Sequence, residues 1–171
     1  MSKFLLRQAN STDARGIAQV QVNTWQSTYL GMIPDSYLQS LNVEEQAKSW
    51  VKIYETPVLS TQTIVAEIDG KIIGFVGVGP SQELNESNFG EIYAIYVDPD
   101  NQNQGIGFDL LQQGTQFLVS EGFQSAILWV LDKNIQTRNW YESNGWKTNG
   151  KTKIDNRYNF ELLEIQYQIM F

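Results

Sequence analysis

Neither cysteine nor histidine occurs anywhere in the 171 residues. Their joint absence excludes a histidine-based catalytic triad, a cysteine nucleophile, a thiolate or imidazole zinc site and any disulfide. No metal site is expected. Proton transfer near neutral pH falls to carboxylates, tyrosine, lysine, the backbone or water. Charge is also scarce: charged residues make up 18%, and 19 acidic against 12 basic side chains leave a net charge of −7. With no basic surplus to neutralise phosphates, nucleic acid is not expected as a ligand. No apolar run approaches the roughly 20 residues of a membrane span, and the start MSKFLLRQAN lacks the hydrophobic region of a signal peptide. A cytoplasmic protein without a membrane partner is expected.

Apolar residues at 42% and aromatics at 12% are enough to fill one core, and the length fits a single domain over residues 1–171. Lys3–Gln8 reads as a first strand. Asn10-Ser11-Thr12-Asp13 offers capping oxygens to a helix carrying Ala14, Ile17, Val20 and Trp25 at helical spacing. Gly31 and Pro34 separate it from a short helix near Asp35–Leu41. Asn42-Val43-Glu44-Glu45 then resembles a capping box. Thr61–Ile68 and Lys71–Val78 flank Asp69-Gly70, the strongest short hairpin signal. A polar loop Ser81–Asn88 leads to a strand at Gly90–Val97. A helix with Leu110, Leu111, Gly114, Phe117 and Leu118 on one face is stopped by Gly122. Ser125–Leu131 reads as a strand, Asn134–Asn144 as a helix, and Trp146–Ile154 and Tyr158–Ile169 as closing strands. The order β-α-α-β-β-β-α-β-α-β-β implies one mixed α/β domain.

The stretch Glu91 to Gly107, EIYAIYVDPDNQNQGIG, carries the chemistry. A strand runs into a turn and then into two glycines that open a helix. The glycines let backbone approach a bulky ligand, and the free N–H groups of the first helical turn favour an anion such as a pyrophosphate. A dinucleotide fingerprint fails because Leu110 stands where its third glycine belongs, and a Walker loop fails for want of G-K-[ST].

The pattern that fits is Q-x-x-G-x-G, here Gln102-Asn103-Gln104-Gly105-Ile106-Gly107, together with Asn134-x-x-Thr137-x-x-Trp140-Tyr141-Glu142-x-x-Gly145-Trp146. On these two motifs, and in element order over nearly the whole chain, the sequence resembles the GNAT superfamily of acyl-CoA-dependent N-acetyltransferases. The stretch from Trp25 to Leu38 looks like a subgroup of uncharacterised bacterial small-molecule enzymes. The resemblance implies a mostly antiparallel central sheet flanked by helices, with acetyl-CoA as co-substrate and a small-molecule or peptide amine as acceptor. It places Ile95, Tyr96 and Val97 on the strand that offers backbone groups to pantetheine. Gln102, Asn103, Gln104, Gly105, Ile106, Gly107 and Phe108 fall on the pyrophosphate loop, Asn134 on the CoA side, and Tyr141 at the general acid, which also touches CoA. Local chemistry agrees, since a phenol can donate a proton to a leaving thiolate.

An amine with pKa ~10.4 costs about 4.6 kcal/mol to deprotonate at pH 7, so a carboxylate, or a water held by one, must take that proton. Glu91 matches the base of histone-type members. A Glu that other members carry on the next strand is replaced here by Trp129. Departures include Gln104, where many members carry Arg or Lys, and Asp109, which would oppose a pyrophosphate if it faced one. Arg138 is a candidate to reach a CoA phosphate. Trp25, Tyr29 and Tyr37 fall where the family lines its acceptor pocket, and core packing explains them equally well. The alternative from another class is a non-catalytic acyl-CoA-binding sensor on the same fold. The family often dimerises through its C-terminal strands, which leaves a homodimer open.

Overall fold

A computed structural model describes residues 4–83 and 88–171. Lys3 of the first expected strand, and residues 84–87 of the expected polar loop, lie outside those described. Strand β1 (Leu5–Gln8) leads through one 3-10 turn into α1 (Ala14–Thr28), a short α2 (Asp35–Ser40) and α3 (Val43–Glu55). Then follow β2 (Gln62–Ile68), β3 (Lys71–Pro80), β4 (Gly90–Val97), α4 (Ile106–Ser120), β5 (Ser125–Leu131), α5 (Ile135–Ser143), β6 (Lys147–Asp155) and β7 (Leu162–Met170). The six-residue α2 is the short helix expected near Asp35–Leu41, and with it three helices stand between β1 and β2, one more than the expected order counts. The seven strands form one sheet, β1-β2-β3-β4-β5-β7-β6. Every pairing is antiparallel except β4 with β5.

Local chemistry accounts for the boundaries. Asp69 and Gly70 adopt positive φ of 49° and 80°, as a two-residue hairpin turn requires. Asn42 Oδ1 accepts from the N–H groups of Glu44 and Glu45 at 2.9 and 3.1 Å. The expected reciprocal half is missing there, because the Glu45 carboxylate pairs with Lys48 at 2.7 Å. The full box forms instead at Asn10, whose N–H donates to Asp13 Oδ2 at 2.9 Å. The last strand begins four residues later than the pattern suggests, because Tyr158 and Phe160 stack on each other at 5.5 Å and join an aromatic cluster with Trp25 and Tyr37.

The sheet has two apolar faces. On one, Ile106, Leu110, Leu111 and Leu118 of α4 pack on Val76, Val78, Ile92 and Leu128. On the other, Ile17 and Val20 of α1 pack on Val65 and Phe75, and Trp50 of α3 meets Phe75 edge-on at 5.2 Å. Strand β3 is covered on both faces, with Ile72 through Gly79 buried.

Two irregularities shape the middle of the sheet. Gly77 pairs with Ala94 and Val78 with Ile92, so Tyr93 is an extra residue in β4. This bulge reverses the alternation: Ile92, Ile95 and Val97 face α4, whereas Ala94 and Tyr96 face α1. Glu91, before the bulge, thereby shares the α1 face with Ala94 and Tyr96. Second, the parallel pairing of β4 with β5 covers only Gly90–Ile92 against Ala126–Leu128. Past that short seam the strands part.

Candidate active site

The parting strands open a cleft of about 1580 Å³. One half of it lies under the N-terminus of α4. Gly105 stands at the helix cap with φ 83° and no side chain caps the first turn, so the N–H groups of Ile106, Gly107 and Phe108 have no partner within the helix. Asn103 precedes it, also left-handed at φ 60°. Asn103, Gly105, Gly107 and Phe108 line the cleft. Ile106 contributes only backbone, since its side chain is buried in the core, and Gln104 is exposed outside the lining. Gln102 lines the cleft and donates to the Val97 carbonyl at 3.1 Å, which also accepts from Thr24 Oγ1 at 3.2 Å. That carbonyl is committed, so of the three expected β4 residues Ile95 and Tyr96 remain, both lining the cleft beyond the seam with β5.

A pantetheine pyrophosphate fits this half. A Cβ on Gly107 would meet nothing nearer than Trp140 at 3.5 Å, so the fold itself does not need a glycine there, while close approach of a ligand to the helix turn would. Asp109 does not line the cleft and opposes nothing in it. Arg138 is held elsewhere: it donates to the Asp132 carbonyl and carboxylate at 2.9 Å and to Tyr167 Oη at 3.2 Å. Among the described residues the lining cations are Lys153 and Arg157, neither of them on the α4 side. What this half offers an anion is backbone N–H groups, with no lining cation beside them among the described residues.

Helix α5 supplies the residues between the two halves. Asn134 is buried and caps α5 by accepting from Thr137 N–H at 3.3 Å, while also lining the cleft. Tyr141 is 5% exposed, packed among Trp140, Trp146 and Tyr167 with ring centroids 5.1, 6.1 and 6.3 Å away. Its hydroxyl makes no hydrogen bond among the described residues. Burial, with the Tyr96 phenol nearby, holds it well above its ordinary pKa. It stays protonated at neutral pH and can only donate.

The other half lies on the α1 face. Glu91 is 7% exposed. Its Oε2 accepts from Gln82 N–H at 2.8 Å. Burial raises its carboxyl, and that hydrogen bond and the Lys153 charge partly oppose the rise. Trp25 and Tyr29 line this half, meeting edge-on at 5.1 Å, and Trp25 Nε1 is buried without a partner among the described residues. Tyr37 packs behind Trp25 at 6.4 Å, outside the cleft.

Sequence reasoning missed Trp129, Lys153 and Glu164. Register brings them together: Leu131 pairs with Glu164 and Glu164 with Lys153, so all three share a face with Trp129. All three line the cleft. The available signal was Leu162-x-Glu164-x-Gln166, a carboxylate in phase with the buried side of a strand. Tyr158 lines the same wall. Among the described residues no group of three His, Cys, Asp or Glu could hold a metal ion, and no helix is long and apolar enough to cross a membrane.

Comparison with known proteins gives the family and the fold. A model of the acetyltransferase (GNAT) family matches residues 25–146. The chain is 36% identical over 129 residues to YuaI, an uncharacterized N-acetyltransferase of Bacillus subtilis (strain 168), covering 75% of this chain and 72% of that one. It is 25% identical over 148 residues to a spermidine N(1)-acetyltransferase of Thermoplasma acidophilum, covering 83% and 87%. In fold it is similar to the PaiA N-acetyltransferase of Thermoplasma acidophilum in its complex with coenzyme A, with a TM-score of 0.72, 20% identity and 100% of each chain covered.

Proposed function

Because the chain belongs to the GNAT acetyltransferase family, we propose that it transfers the acetyl group of acetyl-CoA directly to a primary amine of a small molecule, with Glu91 and Tyr141 moving the two protons. The thioester supplies an activated acyl group, so no side-chain nucleophile is required. The α4 turn holds the pyrophosphate on the N–H groups of Ile106, Gly107 and Phe108. The free backbone edge of β4 at Ile95 and Tyr96 positions the pantetheine arm and the acetyl carbonyl.

The acceptor enters from the α1 face, where Trp25, Tyr29 and Tyr158 form an aromatic wall. Glu91, on that same face because of the Tyr93 bulge, takes the ammonium proton directly or through a water. Tyr141 gives its proton to the leaving sulfur from the opposite side of the splay. The observation that carries the reading is the unpartnered hydroxyl of the largely buried Tyr141 in a cleft shared with the uncapped turn of α4. An amine acceptor suits the acidic chain, and one relative is named for spermidine acetylation.

Tyr141→Phe tests the assignment. It keeps the ring packing and should lower turnover by roughly 10²–10⁴-fold while CoA affinity, read by calorimetry, changes little. Unaltered turnover would remove Tyr141 from the mechanism.

A further inference from the structure

The part of the cleft that carries Trp129 holds an ammonium already. Lys153 Nζ lies 4.2 Å from the centroid of the Trp129 ring. It pairs with Glu83 at 3.0 Å and stands 3.9 Å from a Glu164 oxygen. A ring face and two carboxylates are the recognition elements for an organic cation, and Glu91 lies near enough to interact with both Lys153 and Glu83. Arg157 does not balance them, because it is bound to Asp155 at 2.6 Å.

Resting on the amine-acceptor reading above, we propose that Trp129, Glu83 and Glu164 form a subsite for a second cationic group of the acceptor, and that Lys153 is its built-in competitor. The acceptor class is then a compact diamine: one amine is acetylated beside Glu91, and the other displaces the Lys153 ammonium from the ring. The Lys153 side chain is 38% exposed and can swing into water, whereas Glu164 is 17% exposed and stays. The lysine thereby sets a threshold that a singly charged amine has no means to exploit.

Calorimetric binding of a four-carbon α,ω-diamine and of butylamine, each to the full chain saturated with CoA, tests this without requiring turnover. The wild type should bind the diamine more tightly. The diamine-to-butylamine affinity ratio should rise about tenfold in Lys153→Met, fall about tenfold in Glu164→Gln, and return toward wild type in Lys153→Arg. Thermal unfolding of each variant separates these shifts from misfolding. A ratio that stays constant across the folded variants overturns the subsite, as does gain of an acetyl mass on Lys153 after incubation with acetyl-CoA. Absence of thiol release with every amine would instead overturn the underlying amine-acceptor reading, which the binding ratios do not depend on.

Discussion

Glu91 is placed where its chemistry and the stability of the fold pull in opposite directions. A carboxylate with pKa raised by burial is ionised at a cost to the folded state. Stability attributable to it is present below the unfolded pKa and lost as pH rises through the folded one. Glu91→Gln, which keeps an acceptor for Gln82 N–H, should therefore raise the unfolding temperature at pH 7 by a few degrees, corresponding to about 1 kcal/mol. The same variant should remove the rising limb of the kcat/KM profile, a limb displaced above the usual carboxylate range in the wild type. Asp13 behaves in the opposite sense. Arg7, at 2.8 Å, holds its carboxyl below the ordinary value, so its contribution is present above the unfolded pKa and lost as pH falls through the folded one. Asp13→Asn loses an ion pair that is largely buried on the Asp side, together with part of the capping box. It should cost about 1–3 kcal/mol at pH 7 and less in acid, read by urea unfolding at the two pH values. Residues of this kind divide by how local their signal is. Tyr141 and Gly105 were legible as cleft-lining positions, because each sits in a short motif local in sequence. Glu164 and Lys153 were not, because cross-strand register brings them to Trp129.

At the level of elements, the strand boundaries of β4 and β5 match the sequence pattern, since a continuous apolar run bounded by glycine and proline signals allows little choice. The β4 bulge was illegible: nothing in EIYAIYV marks Tyr93 as the extra residue, and its cause lies in β3 and in the bond from Tyr93 Oη to the Pro80 carbonyl at 2.5 Å. The start of β7 was misread because Tyr158 and Phe160 have strand propensity but are recruited by rings distant in sequence. The α4 turn offers a clean separation of fold from ligand. Gly107→Ala adds a Cβ with ordinary contacts only, so stability should hold within about 0.5 kcal/mol. CoA affinity should nevertheless fall about tenfold or more as the methyl intrudes on the turn that faces the pyrophosphate. Gly105→Ala, by contrast, must adopt φ near 83° and should lose about 1 kcal/mol of stability as well.

For the molecule as a whole, a net charge of −7 acts on the two substrates with opposite sign. On the proposed function, CoA is an anion meeting an acidic protein at a half-cleft with no lining cation among the described residues, whereas an amine acceptor would be attracted. Raising ionic strength from about 0.01 to 0.15 M shortens the screening length from roughly 30 to 8 Å. The apparent KM for acetyl-CoA should fall over that range while the KM for a cationic acceptor rises, in steady-state measurements at fixed pH.

The short parallel seam has a further consequence, in how the chain can be divided. Strands β1 to β4 pair among themselves, as do β5, β7 and β6, and among the described residues the strand pairing between the two sets is confined to Gly90–Ile92 and Ala126–Leu128. The connection after α4 runs through the exposed Glu121-Gly122 turn. Fragments 1–121 and 122–171 should therefore reassemble on mixing into a functional complex. Because acetyl-CoA would touch the uncapped turn of α4 on one fragment and Asn134 and Tyr141 on the other, it should tighten their association, making the split chain a two-piece reporter of its own substrate.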